Sequence, residues 1–226
     1  AAAAHYVQSQ RIEPGELLGV YDLGGGTFDA VIMRRTGAGF EVVGRPSGVE
    51  RLGGVDFDDA IRSFVLDSVG VTALDLGETE EGAAAAHTLL QSCIDAKMVL
   101  SSDTVADVRL VAPSLARTVR ITRVEFENLI LPLLLETLDA FELALHSAQV
   151  DPARLSRILL VGGSSRIPVI STLMGNKFGR QLAVDSEPKN TVALGAALYA
   201  RQASGIGEPQ PDPVHRSATI TAPSAP

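Results

Sequence analysis

The chain has 226 residues and a formal net charge of -8, with 46% hydrophobic and 20% charged residues. That length can bury a sizeable core in one or two domains, and the acidic balance argues against nonspecific binding to nucleic acid or to an anionic membrane, which both need a basic surface. The single cysteine, Cys93, excludes an internal disulfide framework, His5, His87, His146 and His215 are too scattered for a metal cluster, and no apolar run approaches the ~18 residues that span a bilayer. A soluble protein of a reducing, cytoplasmic compartment is the expectation.

The opening AAAAHYVQSQ is rich in helix formers with no N-cap residue ahead of them, so it reads as the tail of a helix that begins upstream. After Pro14-Gly15, three short β-rich runs at 17–23, 28–34 and 40–43 are separated by glycines and predict a three-stranded meander. LGGVDFDDAIRSFVLDSV then places Phe57, Ile61, Phe64 and Val65 at helical spacing, and its early acids Asp56, Asp58 and Asp59 suit the positive end of a helix dipole. Residues 71 to 125 read as a small α+β insertion, with a helix over EEGAAAAHTLLQSCIDAKMVLSS and two amphipathic strands, TVADVRLV and TVRITR. A long helix from VEFENLILPLLL follows, with Pro132 expected near its start or at a kink. The continuous apolar strand 158–161 runs into a glycine turn and a helix, and SEPKNTVALGAALYARQ predicts a last helix. Past Ser204 the chain is proline-rich, without periodicity, and is expected to be disordered.

Two glycine turns directly follow apolar strands. In YDLGGGTFDA, Asp22 stands at the lip of the turn, and Thr27 and Asp29 share one face of the next strand because strand side chains alternate. Gly24, Gly25 and Gly26 either turn a tight hairpin with exposed acids or leave backbone N–H groups free to approach an anion. Carboxylates beside a phosphate would repel it unless hydrated Mg²⁺ or a polarised water lay between. In VGGSSRIP, Gly162 and Gly163 either permit a close strand-to-helix turn with Ser164 as N-cap, or present flat backbone to an adenine ring with Arg166 beside it. Taken alone, Lys97 reads as a snorkelling surface lysine, and the acids of LGGVDFD as helix caps.

The order and spacing of DLGGGTFD, RLGGVDFD, AKMVLSS, ILLVGGSSRIP and TVALGAA resemble the nucleotide-binding domain of the heat shock protein 70 (DnaK-type chaperone) family from residue 1 to about 203. The resemblance implies an α/β chain with the actin-like ATPase (ribonuclease H-like) fold, a mixed sheet flanked by helices. It implies that residues 1–204 are lobe II of that domain, with 17–52 and 126–204 as subdomain IIA, 53–125 as an inserted subdomain IIB and 205–226 as a tail. It further implies ATP or ADP with Mg²⁺ as ligands. Asp22 would assist an attacking water, Thr27 would lie near the γ-phosphate, and Asp22 and Asp29 would hold Mg²⁺ through water. Gly24, Gly25 and Gly26 match the phosphate loop, and Gly53 and Gly54 a loop bordering the nucleotide. Lys97 and Ser101 match residues near ribose and adenine, and Gly162, Gly163, Ser164 and Arg166 the adenosine cradle. Implied partners are the nucleotide, an N-terminal lobe that completes the clamp, and a nucleotide-exchange or co-chaperone protein, with no nucleic acid and no membrane contact from this segment. Without that lobe the fragment is expected to be inactive.

Several positions depart from the family pattern. Ile94 stands where the family usually has a glutamate that contacts ribose, Met98 where it often has arginine, Val55 in place of a glutamate, and Lys189 in place of an aspartate. Losing a ribose acceptor weakens the expected adenosine affinity. No linker of alternating aspartates and leucines precedes the end of the sequence, so a peptide-binding chaperone domain is expected to be absent. The alternatives are a degenerate nucleotide sensor or scaffold whose tail recruits proline-recognising partners, and a sugar or acetate kinase of the same superfamily, against which VGGSSRIP argues.

Overall fold

The computed structural model describes residues 12–184 apart from 38, 72–78 and 113–114, with isolated positions between 193 and 204. The predicted opening helix and the tail lie outside the described residues, and the predicted last helix lies largely outside them. Strands β1 (Leu17–Leu23), β2 (Thr27–Arg35) and β3 (Phe40–Glu50) form the meander. Helix α1 (Gly54–Val69) follows, then α2 (Glu80–Leu100), the hairpin β4 (Val105–Ala112) and β5 (Leu115–Thr122), and the long helix α3 (Arg123–Ala148). The chain closes through β6 (Leu155–Val161), α4 (Pro168–Phe178) and β7 (Leu182–Val184).

The main sheet has the order β3-β2-β1-β6-β7. Within it β1 and β2 pair antiparallel, as do β2 and β3, whereas β6 lies parallel to both β1 and β7. Alternation along β2 puts Phe28, Ala30 and Ile32 into the core and turns Thr27 and Asp29 outward. The principal core lies on the first face and is continuous with Leu89, Cys93 and Leu100 of α2 and with Val108, Leu110 and Ile121 of the hairpin. Burying each such large side chain stabilises the fold by roughly 1.5–3 kcal/mol. An aromatic chain runs through it: Tyr21 lies 4.5 Å from Phe28 and 6.3 Å from Phe141, which lies 5.0 Å from Phe178. The Tyr21 hydroxyl is paired at 2.6 Å with Thr137 Oγ1, which satisfies a phenol that burial would otherwise penalise.

Two elements differ from expectation. Strand β3 continues through Gly44 and Pro46 to Glu50 instead of ending at Val43. A bulge absorbs the breakers: Val43 pairs with Ile32 and Ser47 with Ala30, so three residues face one. Pro46 is tolerated because β3 is an edge strand, and the bulge is pinned where the Arg45 N–H donates to Ser147 Oγ at the end of α3 (2.7 Å). Of the two places expected for Pro132, near the start of α3 or at a kink, the first is not met, since it lies within the helix. The helix starts where it does because Thr122 Oγ1 accepts from the Glu125 N–H and the Glu125 carboxylate accepts from the Thr122 N–H, a capping box.

Candidate functional site

Because β1 and β6 are parallel neighbours with Asp22 beside Val161, both glycine turns leave the same end of the sheet. The carboxyl ends of parallel strands are where α/β sheets open a binding crevice. A third turn joins them at the start of α1. The Gly54 and Val55 N–H groups donate to the carbonyls of Gly24 (3.0 Å) and Gly25 (2.8 Å), and Ser164 Oγ donates to the Gly24 carbonyl (2.8 Å). Gly53 has to be glycine: a Cβ there would lie 2.5 Å from the Gly26 nitrogen and 2.7 Å from the Gly25 carbonyl carbon. The turn at Gly162 adopts φ +86, and a Cβ on it would lie 2.6 Å from the Leu23 carbonyl carbon and 2.9 Å from Asp22 Oδ1. Glycines 24–26, 53–54 and 162 thus pack backbone against backbone. Among the described residues, the N–H groups of Gly25 and Gly26 donate to no carbonyl or side chain, and both glycines are exposed.

Asp22 and Asp29 are directly opposite each other across the β1–β2 ladder, on the face that Thr27 shares. Like charges in that register destabilise a sheet in isolation. No group of three or more His, Cys, Asp or Glu able to hold a metal occurs among the described residues. Two carboxylates beside unpartnered N–H groups are a poor cage for a bare ion. They suit Mg²⁺, which keeps most of its waters and binds through one or two carboxylates together with phosphate oxygens.

On the α2 side, Lys97 is not a snorkelling surface lysine. Its ammonium donates to the Gly54 carbonyl and to Asp58 Oδ2, both at 2.7 Å, and the side chains of Lys97 and Asp58 are 16% and 4% exposed. Burial holds the Asp58 carboxyl above the ordinary aspartate range, opposed by the hydrogen bond and charge of Lys97, while Asp59 adds to the rise. Of the early acids of α1, Asp56 caps the helix by accepting from the Gly53 N–H (2.7 Å), whereas Asp58 serves the ion pair instead. One turn beyond Lys97, Ser101 Oγ donates to the Lys97 carbonyl (3.3 Å).

In the second turn, Ser164 does not cap a helix. It opens a short 3-10 turn, Ser164–Arg166, and α4 begins only at Pro168, whose missing N–H suits a first turn. Its hydroxyl is spent on Gly24 across the crevice. Gly163 is exposed, and Arg166 is exposed with no ion pair among the described residues.

Two residues of the site escaped the sequence reading. Ser165 is buried and donates to the Gly162 carbonyl (2.7 Å), fixing the positive-φ turn from beneath. Asp58 carried a signal: with Gly54, Ile61 and Val65 it lies on the buried stripe of α1, so a charge there demands a partner.

The one thiol lies close behind. Cys93 is fully buried and its thiol is pushed up to about 12, first by burial and then by the charge of Asp58. Native protein at neutral pH is expected to leave Cys93 unlabelled by iodoacetamide over a period in which urea-unfolded protein reacts fully, as read by mass spectrometry. Equal labelling in both states would contradict this burial.

The architecture and the crevice define the class: an actin-like ATPase fold with glycine turns gathered at one sheet end. The sequence model of the family "Hsp70 protein" matches residues 1–210, and the chain belongs to that family. It is similar to the chaperone protein HscA homologue of Pseudomonas fluorescens SBW25, 35% identical over 91% of this chain and 31% of that protein. It is similar also to HscA of Yersinia enterocolitica, 37% identical over 81% of this chain and 28% of that protein. The HscA homologue of Variovorax paradoxus is 40% identical over 82% of this chain and 29% of its own length. The chain therefore spans about a third of the curated relatives it matches.

Proposed function

We propose that this chain is the second lobe of an Hsp70-type nucleotide-binding domain, which binds ATP or ADP with Mg²⁺ and hydrolyses ATP when joined to an N-terminal lobe. The observation that carries this is the convergence of the three glycine turns, with the unpartnered N–H groups of Gly25 and Gly26 beside the Asp22–Asp29 pair. Residues 17–52 and 126–204 serve as subdomain IIA, residues 53–125 as subdomain IIB, and residues 205–226 as a tail.

In this reading the N–H groups of Gly25 and Gly26, with Thr27 Oγ1, receive phosphate oxygens, while the apolar residues further along the same face of β2, Val31 and Met33, pack against Val20, Leu159 and Val161. Asp22 and Asp29 hold hydrated Mg²⁺, which supplies neutralisation of phosphate charge when bound. Asp22 orients a water and accepts its proton, a role suited to a half-buried carboxylate held at the lip of the turn. Gly162, Gly163, Ser164 and Arg166 border the adenosine, with the guanidinium available to stack on a base. Lys97 and Ser101 line the same side from α2. The facing lobe would supply the remaining charge stabilisation. The setting proposed is a cytoplasm, with an exchange factor or co-chaperone acting on the intact protein.

A nucleotide sensor without turnover is the second reading. It is favoured by the exposed apolar Val55 and Met98, 57% and 59% exposed, beside Gly54 and Lys97. Titration calorimetry of Mg·ADP and Mg·ATP into the full-length protein, followed by phosphate release on the same sample, tests both. Binding with turnover supports the ATPase, binding alone supports the sensor, and absence of binding overturns both readings.

A further inference from the structure

The buried pair Asp58–Lys97 occupies a position that the roles above leave unexplained. Lys97 Nζ, 2.7 Å from the Gly54 carbonyl, is also the group that a Cβ on Gly54 would meet at 3.1 Å, next to Ser164 Oγ at 2.7 Å and Gly25 Cα at 3.6 Å. The ammonium therefore sits at the junction of all three glycine turns. The Gly24–Gly26 and Gly53–Gly54 turns reach that junction through backbone alone, and the third turn reaches it through the Ser164 hydroxyl. Asp58 is anchored from behind by α1, whose Phe57, Ile61 and Val65 are fully buried, and Lys97 by α2, whose Cys93, Ala96 and Leu100 are buried. Asp58 Oδ1 has no hydrogen-bond partner, so the carboxylate's one directional contact is spent on Lys97.

We propose that Asp58 is a positioning residue for the nucleotide site: by fixing the Lys97 ammonium against the Gly54 carbonyl, it sets the Gly53–Gly54 turn against Gly24–Gly26 and so determines where the unpartnered Gly25 and Gly26 N–H groups stand. An exposed lysine alone could not do this, because a solvated ammonium on four methylenes has many rotamers of similar energy. Burial removes the alternatives, since an ammonium withdrawn from Asp58 would leave a carboxylate unpaired in the interior, at a cost larger than most surface interactions return. The inner geometry of the crevice is thereby coupled to the packing of α1 on α2. This inference rests on the nucleotide-binding reading only for the identity of the ligand; the ordering of the turns is a property of the chain itself.

The test uses the full-length protein with Asp58→Asn, Asp58→Glu, Lys97→Met and the double variant Asp58→Asn/Lys97→Met, each checked for folding by circular dichroism. Hydrogen exchange without nucleotide reads the Gly54 and Val55 amides, which donate to Gly24 and Gly25, against those of β1 and β6 as internal controls. Asp58→Asn is expected to speed exchange at Gly54 and Val55 at least tenfold beyond any change in the sheet, and to weaken Mg·ADP binding by calorimetry about tenfold or more. Asp58→Glu should recover part of both. In the Lys97→Met background, Asp58→Asn should add little to either, because the carboxylate acts through the ammonium. Additive effects on Mg·ADP affinity would overturn the proposal. So would uniform acceleration across turns and sheet, which is the signature of lost stability alone, and so would a local acceleration at Gly54 and Val55 with unchanged affinity. If wild type binds no Mg·ADP yet Asp58→Asn loosens Gly54 and Val55 selectively, the positioning role stands and the nucleotide reading falls.

Discussion

Gly162→Ala is expected to destabilise the folded protein by about 3 kcal/mol or more, a large loss for one methyl group against typical domain stabilities. Two costs add. A non-glycine residue in the left-handed region costs roughly 1–2 kcal/mol, and here φ is +86. The new Cβ also falls 2.6 Å from the Leu23 carbonyl carbon, which belongs to a central strand and cannot rotate away as a flexible side chain would. Relief would require β1 and β6 to part at the site, breaking the pairing of Asp22 with Val161. Urea unfolding of the full-length protein measures the effect, and Gly25→Ala is the control: nothing lies within 4 Å of a Cβ there, so its stability should change by less than about 1 kcal/mol. A Gly162→Ala midpoint matching that of Gly25→Ala would show that the turn is not locked as described.

Asp22→Asn is expected to lower ATP turnover of the intact protein by 10²-fold or more while leaving the fold unchanged. The amide preserves the shape of the side chain, so the hydrogen-bonded lip of the turn survives, but it can neither accept a proton from water nor carry the charge opposite Asp29. Loss of a positioned proton acceptor commonly costs ~10²–10⁴ in rate. Removing one of two facing like charges should at the same time leave stability equal or slightly raised in the absence of Mg²⁺. Single-turnover phosphate release together with a thermal melt separates these effects. Unchanged turnover would move the proton acceptor elsewhere, and a collapsed melt would make Asp22 a structural residue.

Much of this architecture was legible in the chain. The apolar runs of β1 and β6, the alternation of β2 and the early capping acid Asp56 of α1 are local signals, and local geometry obeys them. The glycine turns were legible for the same reason, since three glycines between a strand and an alternating TFD pattern, with Thr27 and Asp29 outward and Phe28 inward, leave few other conformations. What escaped was decided between elements. Gly44 and Pro46 read as the end of a strand, but the end of α3 docks on them and the ladder resumes beyond a bulge. Ser164 read as a cap for the helix that follows, but its hydroxyl is drawn across the crevice to Gly24. Lys97 read as solvated because its partner is on another helix, 39 residues away, and no periodicity along α2 alone announces a carboxylate waiting in α1.

The hydrogen bond from Ser164 to Gly24 joins residues 140 positions apart. During synthesis at about 5–20 residues per second, the first glycine turn leaves the ribosome roughly 7–28 s before the segment that completes it. For that interval the apolar β1 has β2 on one flank and no parallel neighbour on the other, although helix and hairpin elements between them already have local partners. The binding crevice therefore comes into being only once Ser164 has emerged, and a pause or truncation between the meander and that residue leaves the first glycine turn without the second.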